Sequence, residues 1–189
     1  MERTLESVVV EQCAPTLAGV KPASLFRYQP EEERSWQAEI SQLAQALIHT
    51  GISFRILKEC RQTGARLIYI YRAGWLRQIL AEPSNRAFLA RCGYQMERDA
   101  TALLGQLSER LCLEQEFPHE IGVFLGYPLE DVKGFIENRG RNYTCCGCWK
   151  AYGDPRKARE RFERYHRCTA VYMERFRQGT PIVRLIVVA

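Results

Sequence analysis

Helical periodicity, in which apolar residues recur every three or four positions, marks several segments of the chain. A helix is predicted from about Pro30 to Gly51, and the three glutamates at positions 31–33 suit its positively charged start. Further helices are predicted at residues 75–80, 85–91, 96–112 and 128–138.

A longer helix is predicted at residues 154–178. Asp154 is an N-cap residue, Pro155 follows it at the first helical position, and Gly179 ends the segment. Large side chains recur on one face of this helix at Phe162, Tyr165, Thr169, Tyr172 and Phe176.

Strand patterns are fewer and shorter. Residues 52–58 and 66–72 are rich in β-branched and aromatic residues and flank a turn at Thr63 and Gly64, so they predict a hairpin. Other strands are predicted at residues 23–28, 142–152 and 181–188. Helices and strands that alternate irregularly around a hairpin are typical of an α+β fold, here a mainly antiparallel sheet covered by helices.

Two stretches are shaped by proline and glycine. Residues 13–22 contain two prolines and a glycine and are interpreted as an irregular loop. In residues 117–131, Pro118 is expected to open a helix with His119 and Glu120 in its first turn, ending at Gly126.

Length and composition indicate one globular domain, residues 1–189. The chain is 46% hydrophobic and 26% charged, which is too apolar for a disordered protein. No apolar run approaches the roughly 20 residues of a membrane span, and the first residues do not resemble a signal peptide. A cytoplasmic location is therefore expected.

Eight cysteines without a secretion signal are expected to be free thiols rather than a disulfide framework. Three of them, Cys145, Cys146 and Cys148, lie close together, and Cys168 and His166 offer further soft ligands. Their spacing does not match a zinc knuckle, so no metal ligand is assigned, and packing is the alternative role.

The net charge of +5 is concentrated in one helix. Residues 154–178 carry eight Lys or Arg against four Asp or Glu. Such a face is commonly solvated, or it holds an acidic protein partner. Nucleic-acid binding is not predicted, because no recognised motif accompanies the charge.

A candidate catalytic constellation consists of Cys13 as nucleophile, His119 as base and Glu120 as the residue that orients His119. Lys21 would hold a ligand or lower the pKa of the thiol. The alternative is a packed thiol and a histidine at a helix start.

Aromatic and cationic side chains suggest a pocket for an anionic or planar ligand, whereas aromatic core stripes are the structural alternative. The candidate ligand-binding residues are Thr16, Lys21, Tyr71, Arg72, Tyr127, Trp149 and Lys150.

Residues 13–21, 67–72, 117–131 and 147–152 together are similar to an uncharacterised bacterial family, the domain of unknown function family 3793. The resemblance spans nearly the whole chain and implies no activity. In that family a histidine usually precedes the position of Cys13, where this chain has Gln12, and the position of Cys148 is usually aromatic.

The leading hypothesis is a ligand site between the loop at residues 13–21 and the helix start at Pro118, for a small anionic or acyl-type ligand, with possible Cys/His chemistry. The alternatives are an interaction domain that uses the basic helix, and a thiol or metal handling protein. The sequence does not specify a reaction, a cofactor, an oligomeric state or whether the protein is an enzyme.

Overall fold

The structure is a computed structural model and describes residues 4–30, 33–114 and 116–188. Its helices and small antiparallel sheets confirm the α+β class. The chain divides into two compact units: unit 1 comprises Met1–Trp75 and Arg167–Ala189, and unit 2 comprises Leu76–His166. That residues 1–189 form a single domain stays a prediction.

The sheet of unit 1 contains strands β1 (Ala23–Tyr28), β2 (Ile52–Glu59) and β3 (Arg66–Arg72) in the order β1-β3-β2, all antiparallel. The predicted hairpin at residues 52–72 is therefore confirmed. The prediction of a strand at residues 23–28 is confirmed as well, and β1 lies at one edge.

Helix α1 (Leu5–Leu17) overturns the prediction that residues 13–22 form a loop. Thr4 caps the helix, and apolar side chains bury it despite Pro15 in its last turn. Pro15 has no amide N–H to donate to the carbonyl of Glu11, whose side chain is exposed. The irregular segment is confined to residues 18–22, where Gly19 has a φ of 69° and two amides donate to the Pro15 carbonyl.

The core of unit 1 is built from α1, the sheet and helix α2 (Glu33–Leu47). The expectation for the glutamates at 31 and 32 lies outside the described residues. Near the C-terminus, the prediction of a strand at residues 181–188 is wrong. A short helix, α9 (Ile182–Leu185), begins after Pro181 and buries Ile182 and Leu185 in the same core. The amide of Val187 then donates to the Leu17 carbonyl, a single link rather than a ladder.

The helices expected along the middle of the chain are present. They are α3 (Ala73–Ala81), α4 (Pro83–Arg91), α5 (Ala100–Leu113), α7 (Leu129–Glu137) and α8 (Pro155–Arg177). Helix α5 starts four residues later than predicted because Asp99 is its N-cap and accepts from the amide of Ala102. The two boundaries between the units along the chain fall within α3 and within α8.

The predicted strand at residues 142–152 is wrong in extent. Asn142 has a φ of 57°, and only strands β4 (Cys145–Cys146) and β5 (Lys150–Ala151) pair, as a short antiparallel hairpin. The tip at Gly147 packs so tightly that an added Cβ would overlap the Phe162 ring. A tight turn therefore replaces the middle of the predicted strand.

The predicted helix start at Pro118 lies three residues too early. Residues 118–120 form a turn closed by the amide of Ile121 on the Pro118 carbonyl, and helix α6 (Ile121–Phe124) follows with Glu120 as its N-cap. Within the described residues, no helix has the length and apolar character needed to cross a membrane.

Candidate functional site

Cys13 lies on α1 in unit 1 and has no exposed surface. Burial raises the pKa of its thiol to about 12, against smaller opposing effects of the Lys21 charge and a hydrogen bond with Ser24. Since a nucleophilic cysteine needs an accessible thiolate, these properties oppose the catalytic role predicted for it.

Arg72 is also buried in unit 1, where it binds backbone carbonyl groups. Its Nε donates to the Thr16 carbonyl at 2.8 Å, and its Nη2 donates to the carbonyls of Leu17 and Val187 at 2.8 and 2.7 Å. Two of these bonds add to those that the Thr16 and Leu17 carbonyls, at the C-terminal end of α1, accept from the amides of Gly19 and Val187. Burial lowers the pKa of Arg72. The side chain of Thr16 is also paired, because its hydroxyl lies 2.9 Å from that of Ser24.

Tyr71 stacks on Tyr69 along β3, with ring centroids 5.0 Å apart. Tyr69 is fully buried, and desolvation raises its pKa well above the ordinary value. Tyr71 itself is half-buried, so the stack is compatible with an aromatic stripe at the edge of the core, and ligand binding by Tyr71 stays a prediction.

Glu120 and His119 in unit 2 are adjacent in sequence but have different surroundings. Glu120 is 5% exposed, and its Oε1 accepts from the Tyr94 hydroxyl at 3.1 Å and lies 2.9 Å from the Arg110 Nε. His119 is exposed, and its ring contacts Phe135 with centroids 4.7 Å apart. Because Cys13 belongs to unit 1, the constellation of the three residues stays a prediction.

Asp131 holds the β4–β5 hairpin in unit 2. The side chain is 4% exposed, and its Oδ1 accepts from the amides of Tyr152 and Gly153 at 2.6 and 3.0 Å. Its Oδ2 accepts from the indole Nε1 of Trp149 at 2.7 Å. Both carboxylate oxygens are therefore occupied, and the orientation of the indole is fixed.

Trp149 is further enclosed by aromatic rings. It stacks on Tyr127 at 4.7 Å between centroids and meets the edge of Phe162 at 4.6 Å. Burial, followed by the neighbouring Cys148 and Tyr165, raises the pKa of Tyr127 to about 12. Trp149 thus lies in a rigid aromatic cluster.

A cavity of about 180 Å³ opens beside Trp149. The starts of α7 and α8 contribute most of its wall, including Lys157 and Arg161, which are one helical turn apart on α8 and exposed. Its lining residues are Pro128, Glu130, Asp131, Trp149, Gly153, Asp154, Lys157, Ala158 and Arg161.

Lys150 points to a different place from its neighbour Trp149. Its Nζ donates to the Gly140 carbonyl at 2.8 Å and lies over the rings of Tyr143 and Phe135, at 5.1 and 5.9 Å from their centroids. Lys150 therefore binds the segment that follows α7 and does not line the cavity.

The structure brings together side chains that sequence reasoning did not combine. In the sequence, Asp131 is the last residue of the stretch 117–131, and Lys157 and Arg161 lie in the basic helix predicted at residues 154–178. The sequence pattern assigns none of the three to a site. The predicted helix start at Asp154 and Pro155 places positions 157 and 161 on one face of the helix, and this pairing could have been found from the sequence. Nothing in the sequence pairs that face with Trp149.

Among the described residues, no group of three or more His, Cys, Asp or Glu side chains is arranged to hold a metal ion. All eight cysteines, which lie within the described ranges, are thiols.

The chain belongs to a family described as "Protein of unknown function (DUF3793)", whose model matches residues 9–186. This confirms the resemblance found in the sequence. No curated protein and no solved structure matches the chain.

Proposed function

We propose that the protein binds a small anionic ligand in the cavity beside Trp149 in unit 2. The observation that carries the proposal is the position of Lys157 and Arg161 on one wall of a cavity whose other wall is a fixed indole. The two cations bind the anionic group, and the indole covers an apolar or planar part of the ligand.

Three carboxylates and two cations line the cavity, and it is the hydrogen-bond donors of the cations, rather than the net charge, that favour an anion. Asp131 already accepts three hydrogen bonds, and Asp154 accepts from the amide of Arg156 at 2.8 Å. No ion pair joins Lys157 or Arg161 to a carboxylate in the described part of the chain. The cations thus keep their donors for a ligand, whereas two of the carboxylates have structural partners.

The fixed indole supports binding by reducing its entropic cost. Trp149 is held by Asp131 on its nitrogen and by Tyr127 and Phe162 on its ring. A side chain that is immobile before binding loses little rotamer freedom when a ligand packs against it.

The size of the cavity limits the ligand. Its volume of about 180 Å³ is below the roughly 300–1,000 Å³ typical of pockets for drug-sized molecules. A small carboxylate or phosphate ester fits this description. Phenyl phosphate combines an anionic group with a planar ring and is a suitable probe.

The test is a calorimetric titration of the full chain with phenyl phosphate. Replacing Arg161 or Lys157 by alanine removes charge-assisted hydrogen bonds worth about 1.5–3 kcal/mol each, so binding is expected to weaken about tenfold or more. Arg159→Ala is the matched control, because Arg159 is exposed on the same helix but does not line the cavity.

Binding weakened equally by Arg159→Ala would show that the general charge of α8, and not the cavity, attracts the probe. No measurable binding by the wild type would refute the proposal for ligands of this class.

The other hypotheses from the sequence stay predictions. The basic helix exposes all eight Lys and Arg side chains of residues 154–178, which is compatible with an acidic partner. Chemistry at Cys13 is opposed by its burial, and a metal-handling role has no ligand cluster among the described residues to support it.

A further inference from the structure

Cys146 and Cys148 lie on either side of Gly147 at the tip of the β4–β5 hairpin, and both are exposed thiols. The ligand proposed for the cavity does not involve them. Neither does the aromatic packing of Trp149 require two cysteines at these positions. The tip therefore has chemistry that the proposed function does not use.

The turn holds the two cysteines close together. The Gly147 amide donates to the Trp149 carbonyl at 3.1 Å, and Cys146 pairs with Lys150 across the hairpin. Cα atoms two residues apart are separated by two steps of about 3.8 Å, and a turn shortens that separation into the range of about 4.4–6.8 Å found in disulfides.

Gly147 also fixes the conformation of the tip. The space next to its Cα is filled by the ring of Phe162, so the turn cannot shift inward. This limits the backbone conformations that the two cysteines sample. Preorganisation of this kind favours ring closure over reaction with a second molecule.

Cys145 is a poorer partner for either thiol. It is half-buried and packs against the cluster of Ala151, Ala158 and Phe162, and adjacent residues on a strand point to opposite faces. A bond between Cys145 and Cys146 would close across a single peptide bond and distort it.

We propose that Cys146 and Cys148 are a site of reversible oxidation, forming an intramolecular disulfide at the hairpin tip. With hydrogen peroxide as the oxidant, one thiol is first oxidised to a sulfenic acid and one water is released. The second thiol then displaces the hydroxyl group as a second water, forming the S–S bond. Two thiols lose two electrons and two protons in total. Two glutathione molecules reverse the reaction by thiol–disulfide exchange and leave as glutathione disulfide.

In the test, the folded full chain is treated with one equivalent of hydrogen peroxide. The remaining thiols are then blocked with iodoacetamide, and the protein is digested with trypsin. Cleavage after Arg141 and Lys150 releases residues 142–150 with all three clustered cysteines. The expected product is this peptide lacking two hydrogens and carrying one carbamidomethyl group, and reduced glutathione should restore the fully alkylated form.

Three variants identify the bonded pair. Cys145→Ser should keep the oxidised peptide, whereas Cys146→Ser and Cys148→Ser should each abolish it. Cys112→Ser is the control, because Cys112 is an exposed cysteine on α5 outside the hairpin. Persistence of the oxidised peptide in Cys146→Ser or Cys148→Ser, or no intramolecular disulfide in the wild type, would overturn the proposal.

Discussion

Arg72 and Asp131 are buried charged residues, and backbone groups of opposite polarity surround each of them. Three carbonyl groups receive hydrogen bonds from Arg72, while two amides and one indole donate to Asp131. Removing Asp131 would take the acceptor from two amides and an indole N–H, whereas without Arg72 the Thr16 and Leu17 carbonyls would keep the amides of Gly19 and Val187. At the scale of the residue, both therefore hold a segment of chain in place, and a ligand-binding role for Arg72 stays a prediction.

The Cys13 thiol makes the stability of the protein depend on pH, and its burial determines the direction of that dependence. Its pKa is about 12 in the folded state and 9.0 when exposed, so between these values the unfolded chain loses the proton first. The contribution of this thiol to the free energy of unfolding is fully present below pH 9 and is lost as the pH rises above it. From pH 8 to pH 10 the wild type should lose about 1 kcal/mol more free energy of unfolding than Cys13→Ala.

Urea unfolding of both proteins at the two pH values measures this difference. Equal losses in the wild type and the variant would mean that the Cys13 thiol is not desolvated in the folded protein.

At the scale of the element, the hairpin β4–β5 depends on the absence of a side chain at Gly147. An alanine there would meet the Phe162 ring and force the hairpin away from α8. Overpacking of this kind costs typically about 1–3 kcal/mol. Gly147→Ala should therefore lower the free energy of unfolding by about this amount, as measured in urea.

Gly74→Ala is the control for that substitution. Gly74 is in the first turn of α3, and nothing lies within 4 Å of an added Cβ. Alanine is the better helix former, so Gly74→Ala should be neutral or stabilising by up to about 1 kcal/mol. A similar loss of stability in both variants would contradict the packing argument.

The elements that could be predicted from sequence are those with strong local signals. Helix α8 follows from Asp154 and Pro155, and the β2–β3 hairpin follows from its β-branched strands and glycine turn. Helix α1 was missed because Pro15 is tolerated in its buried last turn. The C-terminal apolar run predicts a buried strand, yet Pro181 starts a short helix that buries Ile182 and Leu185, while Val183, Val187 and Val188 are exposed.

At the scale of the whole molecule, the sequence predicted the family and the fold class, while its ligand-binding residues stay predictions. Trp149 was selected for its residue type, and it does line the cavity. Lys157, Arg161 and Asp131 could not be assigned to it, because their proximity depends on how the hairpin, α7 and α8 pack in unit 2. The net charge of +5 is compatible with an anionic ligand, and we propose that the cavity binds it.

Glu130 is the residue that tests the sign of the proposed ligand charge, since its carboxylate also lines the cavity. In the proposed complex it repels the anion, so Glu130→Gln should remove an unfavourable interaction of about 0.5–1 kcal/mol. A cationic or zwitterionic ligand would instead use this carboxylate as a binding partner.

The most direct measurement is the dissociation constant of phenyl phosphate for Glu130→Gln compared with Arg161→Ala and the wild type at one salt concentration. Tighter binding by Glu130→Gln, roughly twofold to fivefold, together with weaker binding by Arg161→Ala, is the predicted result. Weaker binding by Glu130→Gln, or unchanged binding by both variants, would contradict an anion site at this cavity.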